Sequence, residues 1–178
     1  MRLAADLLPM LRFLLVFVVL VFVLFGLELL EPVERLVIVP FTSLVAKASG
    51  VVIRLIDADA IVQGKIISSP AHNFAISIER GCNGVEAMII FGAALAAFPA
   101  PWRHKLLGLG IGFAAIQALN LVRIVSLFYL GRWNMAWFEW FHLYLWQALM
   151  VLDALIVFLL WLRSLPRPGG PAPAPLAT

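Results

Sequence analysis

Apolar residues fill long stretches of this chain and are interrupted by one mixed interlude. Met10–Leu30, Val85–Pro99, Leu106–Leu130 and Phe141–Leu162 each read as a membrane-spanning helix, with Val85–Pro99 the short one, since a span needs about 20 mostly apolar residues. Between the first two, the apolar residues from Phe41 to Ile56 are Phe41, Leu44, Val45, Ala48, Val51, Val52, Leu55 and Ile56. That spacing predicts an amphipathic helix, with Pro40 as its boundary. It is too polar on its other face to span, so it is expected to lie on the membrane surface or against the bundle. Ala60–Ser68 and Phe74–Glu79 then read as a β-hairpin turning around Pro70, because Phe74, Ile76 and Ile78 alternate with Ala75, Ser77 and Glu79. The second strand runs directly into Gly81-Cys82.

Composition and charge sharpen this picture. The chain has 178 residues, is 63% apolar and has a mean hydropathy of +1.03, so its solvent is lipid as well as water. The formal charge of +3 is too small to imply nucleic-acid binding. Its distribution is informative instead. Arg2 and Arg12, then Arg103 and Lys105, then Arg163 and Arg167 flank the spans, while the five basic residues of Glu31–Gly84 are matched by five acidic ones. The positive-inside rule places both termini in the cytoplasm and residues 31–84 outside. Met10–Leu30 lacks a small-residue cleavage site after it and reads as an uncleaved anchor. The Pro-, Ala- and Gly-rich residues 166–178 are expected to be a disordered cytoplasmic tail behind a single membrane-embedded domain, 1–165. The expected fold class is therefore an all-α polytopic membrane protein, with four transmembrane helices, an extracytoplasmic amphipathic helix and a small β-hairpin.

A lone cysteine excludes an intramolecular disulfide and a multi-cysteine metal cage. No metal-ligand cluster has suitable spacing and no Gly-rich phosphate loop is present, so no cofactor or metal is expected. Cys82 lies where strand meets helix, between Gly81 and Gly84, and the positive end of a helix favours a thiolate. Arg123 stands inside an apolar span, where a charged side chain costs about 2.5 kcal/mol or more and needs an interior partner. His142 opens the last span within an aromatic group of Trp133, Trp137, Trp140 and Trp146. Charge and hydropathy alone put Cys82, Arg123 and His142 at one outer level. A thiol, an imidazole base and a fixed cation are the parts that acyl transfer needs. Asn120, Glu86 and Asn83 are candidates to support these groups, with Glu86 placed to orient Arg123 or His142, and Asp153 falls near mid-membrane. His72 and His104 are not expected to share a site with Cys82.

The run Glu79-Arg80-Gly81-Cys82-Asn83-Gly84, then Asn120-Leu121-Val122-Arg123, then His142 resembles the exosortase/archaeosortase family of polytopic membrane cysteine transpeptidases, and most resembles its compact bacterial exosortase H type. The resemblance covers roughly Val51–Leu162. The family commonly has serine after the cysteine, and here Asn83 stands there. The resemblance implies a sorting enzyme of the bacterial inner membrane with its site facing the periplasm. Its partners would be exported proteins bearing a C-terminal tripartite sorting signal and an unknown cell-surface acceptor, with a thioester acyl-enzyme on Cys82. The residues alone also fit a non-enzymatic assembly or transport subunit, in which Arg123, Asp153 and Glu86 are buried polar glue and Cys82 an inert filler.

Overall fold

The structure is a computed structural model and describes residues 2–165; the expected tail 166–178 lies outside the described residues. The chain forms α1 (Arg2–Glu28), α2 (Glu31–Arg54), β1 (Ile61–Gln63), β2 (Ile66–Ser69), β3 (Phe74–Ser77), α3 (Val85–Ala97), α4 (Trp102–Trp133) and α5 (Met135–Ser164). Four of these helices, Leu7–Glu28 within α1, α2, α4 and α5, are long and apolar enough to cross a membrane; α2, which the sequence pattern makes too polar to span, meets that test because the apolar residues before Pro40 join it, and the short α3 does not. A small three-stranded antiparallel sheet completes the fold.

Several boundaries differ from the sequence reading, each for a local reason. The helix expected from Phe41 begins at Glu31 and passes through Pro40 without ending. A π turn over Glu34–Ile38 ends two residues before that proline. The slip in the hydrogen-bond ladder there accommodates a ring that an unbroken α-helix would exclude. The expected first strand is split in two by a turn at Gly64, which has a φ of +58°. α3 has only 13 residues, about 20 Å, because Gly84 starts it and the Phe98-Pro99-Ala100-Pro101 run stops it. Conversely, α4 and α5 reach well past their apolar runs and meet at a single extended residue, Asn134, whose side chain accepts from the Ala136 and Trp137 amides.

Two apolar cores are strung along α4. Toward its Trp133 end, Val45, Ala46 and Ile53 of α2, Ile67 of β2 and Ile78 just after β3 close around Ile124 and Phe128. Toward its Trp102 end, Ala87, Phe91 and Leu95 of α3 and Met150, Ala154 and Trp161 of α5 close around Ile116. α1 packs along α3, antiparallel to it, with Phe13 edge-on to Phe98. Beyond that contact, Leu7–Leu27 is mainly exposed and apolar, as a helix in lipid requires, and Glu28 at its end is buried. At the far end of α4, Arg132 pairs with Asp57, contacts His72 and covers the Phe128 and Tyr129 rings, tying the sheet to the helix.

Close helix packing in the second core depends on small residues. A Cβ at Gly112 would overlap the Phe91 ring, whereas a Cβ at Gly110 meets nothing within 4 Å. Gly112→Leu should therefore lower stability by about 1–3 kcal/mol through overpacking, and Gly110→Ala should leave it the same or slightly higher. Thermal unfolding in detergent would show this ordering, and equal midpoints for the two variants would contradict it.

Candidate active site

The seam between the two cores holds the polar residues. Between Ser77 and α3 the chain makes a tight turn, with the Cys82 amide donating to the Glu79 carbonyl at 3.0 Å. Gly81 and Gly84 take φ values of +81° and +80°, which L side chains rarely adopt. Gly84 is also held by space, because a Cβ there would press on the Gln117 and Asn120 amides. The Cys82 loop is thus wrapped closely over one face of α4.

Asn83 anchors the loop from inside. It is completely buried. Its amide nitrogen donates to Thr42 Oγ1 of α2 at 3.0 Å, and its amide oxygen accepts from the Val85 N–H at 3.0 Å. Its backbone carbonyl accepts from Gln117 Nε2 of α4 at 3.1 Å. Gln117 in turn accepts from Asn120 at 3.4 Å. The sequence pattern singles out neither Gln117 nor Thr42 as part of a site. Thr42 lies 41 residues from its partner, in the segment expected on the membrane surface or against the bundle, and the fold takes the second course and brings them together.

The three sequence-predicted chemical groups meet. Cys82 Sγ lies 2.8 Å from His142 Nε2. Arg123 is 2% exposed, with one terminal nitrogen donating to the Gly81 carbonyl at 2.8 Å and the other 3.6 Å from Cys82 Sγ. His142 does not open its helix, as the sequence suggested. It is the second residue of a π turn, Phe141–Leu145, inside continuous α5. Glu86 reaches neither Arg123 nor His142; its carboxylate accepts from the Gly81 N–H and braces the loop. His72 and His104 are remote, the latter's carbonyl accepting from Trp161 at 3.0 Å near the other end of α4. A groove of about 380 Å³ opens over the cysteine, lined by Ser77, Glu79, Arg80, Gly81, Arg123, His142, Leu143 and Gln147.

The family description "Transmembrane exosortase (Exosortase_EpsH)" matches this chain over residues 1–173. The chain belongs to the transmembrane exosortase family. Archaeosortase A of Haloferax volcanii is 33% identical over 82 residues, which are 46% of this chain and 25% of that protein. The chain therefore spans only about a quarter of that curated relative. No solved structure matches it. Exosortase membership suggests a membrane sorting transpeptidase, a protease-like activity.

In this exosortase the resting thiol is not the thiolate that a helix terminus would favour. Burial pushes the Cys82 pKa up, Arg123 pulls it down, and Glu86 and Glu79 push it up again. Burial is the largest of these effects. In addition, α3 begins only at Val85, so Cys82 precedes the amides that carry the helix's partial positive charge. The sulfur is therefore protonated at neutral pH and loses its proton only above the ordinary thiol range. Alkylation of Cys82 by a small neutral reagent should rise about tenfold per pH unit through neutrality, as the thiolate fraction does. It should level off at higher pH than for a free cysteine. Glu86→Gln should shift the profile to lower pH, and Arg123→Gln to higher pH. A plateau already reached at pH 7 would contradict this charge balance.

Proposed function

We propose that this protein is a membrane cysteine transpeptidase that cleaves C-terminal sorting signals of exported proteins through a thioester on Cys82. The observation that carries the reading is the 2.8 Å contact between Cys82 Sγ and His142 Nε2, with the Arg123 guanidinium 3.6 Å from the same sulfur. An inert filler needs neither an imidazole nor a buried cation beside it.

His142 Nε2 takes the thiol proton, and the resulting thiolate is stabilised by Arg123. Sulfur attacks the scissile carbonyl carbon, and the developing oxyanion takes the guanidinium in place of the sulfur. The C–N bond then breaks, and the imidazolium returns its proton to the leaving amine. An acceptor nucleophile, or water, releases the acyl group by the reverse proton path. The Gly81 carbonyl fixes the guanidinium and Glu86 fixes Gly81, so the loop and the cation are held together.

Lengths support a membrane placement for this reading. From Lys105 to Arg123 is 18 residues of α4, about 27 Å, against a hydrocarbon thickness of about 30 Å. With the basic end of the bundle at the cytoplasmic boundary, the site sits at the opposite one. Both termini are then cytoplasmic, and in a bacterial inner membrane the groove faces the periplasm. A substrate helix in the bilayer would present its preceding segment at that level.

Co-expression with a sorting-signal protein tests the reading, with processing followed by size and variant levels checked in membranes. Cys82→Ala should abolish processing, and Arg123→Ala and His142→Ala should each cut it by at least about a hundredfold, the scale of a lost oxyanion donor or general base. Normal processing by Cys82→Ala would return the chain to the non-enzymatic assembly class.

A further inference from the structure

We infer that the segment of the substrate on the acyl side of the scissile bond binds as an extended strand added to the free edge of β3 at Ser77. The inference rests on the transpeptidase reading and specifies how that site holds its substrate. Among the described residues β3 is an edge strand, paired only with β2. The Ile78 N–H donates to the Lys65 carbonyl at 3.0 Å. Ile78 and Lys65 face each other in the β2–β3 register, so theirs is a hydrogen-bonded pair. Antiparallel ladders alternate hydrogen-bonded and non-hydrogen-bonded pairs. Ile76↔Ile67 is therefore hydrogen-bonded, while Ser77↔Ile66 and Ala75↔Ser68 are not. The N–H and C=O of Ser77 and Ala75 consequently point away from β2, to the free edge, and among the described residues they have no partner.

This edge borders the reactive groove. Ser77 lines it together with Cys82, and His142, Leu143 and Gln147 of α5 line it as well. Ala75 and Ser77 are both exposed. An unpaired edge is a template for another strand. A peptide leaving a membrane helix near the hydrocarbon boundary has backbone groups that the surroundings satisfy poorly. Pairing with Ser77 satisfies them and aligns the chain so that its next carbonyl lies over Cys82. Gln147, exposed and without a partner among the described residues, lines the groove at the membrane side. There it can meet the segment that continues into the substrate's helix.

The test is cross-linking in a Cys82→Ala, Ser77→Cys background, with single cysteines scanned through the substrate segment before the cleavage site. An added strand gives disulfides at every second substrate position, the side-chain period of a strand. A helical or irregular segment gives a period near 3.6 or none, and either overturns the proposal. Kinetics provide an independent arm in the protein with Cys82 intact. Ser77→Pro deletes the free-edge N–H at a position where an edge strand tolerates proline, and Ser77→Ala keeps it. Ser77→Pro should show a KM about tenfold above that of Ser77→Ala, with kcat within about twofold. Equal KM values for two variants of normal membrane level would overturn strand addition while leaving the enzyme reading intact. Failure of the unaltered protein to process any sorting-signal protein would instead strike the enzyme reading itself.

Discussion

A guanidinium is buried between two apolar cores, and the loop bearing the only cysteine is folded around it. Arg123 lies where the α2–sheet core gives way to the α3–α5 core, and α4 runs through both. A cation in such a place is expensive. It is tolerated because the Gly81 carbonyl and the cysteine sulfur are brought to it. The turn that brings them requires positive φ at Gly81 and Gly84. Asn83 between them is pinned from both sides of the seam, by Thr42 of α2 and Gln117 of α4. The loop's shape is a consequence of satisfying buried polar groups at one level of the bundle.

The same burial governs the chemistry. A thiol taken out of water holds its proton, and the neighbouring acids reinforce this. Arg123 opposes them, so the cost of forming the thiolate is set by a contest between desolvation and one nearby cation. Glu86 enters on both sides: it braces the Gly81 amide and raises the charge penalty at the sulfur. In the proposed mechanism the nucleophile is generated only when His142 accepts the proton, which keeps the thiol quiet between turnovers. His142 meets the sulfur from within the π turn of α5, Phe141–Leu145, where the helix changes register.

Much of the architecture was readable from apolar runs. The helices at α1, α4 and α5 follow from length and hydropathy, and Cys82, Arg123 and His142 converge as their shared level predicted. Finer features escaped because they leave little trace in composition. A π turn is one residue of slippage and has no signature in hydropathy, so the apolar pattern starts α2 after Pro40 and has His142 open a span. Val85–Pro99 reads as the short span because it is uniformly apolar, and the helix it forms is shorter still, at 13 residues. Glu86 was expected to reach across the bundle, but the backbone amide of Gly81 is nearer. The Thr42–Asn83 bond joins residues 41 apart, and pairings of that kind are decided by tertiary packing.

The central claim is that Cys82 forms a covalent acyl intermediate, and mass spectrometry of that intermediate tests it most directly. The unaltered protein, quenched in acid during turnover of a sorting-signal substrate, should carry the substrate's acyl segment on Cys82 as a thioester that hydroxylamine removes as the hydroxamate. His142→Ala should show little or none of it. Substrate processing with no adduct on Cys82, or with a hydroxylamine-resistant adduct on another residue, would contradict the account.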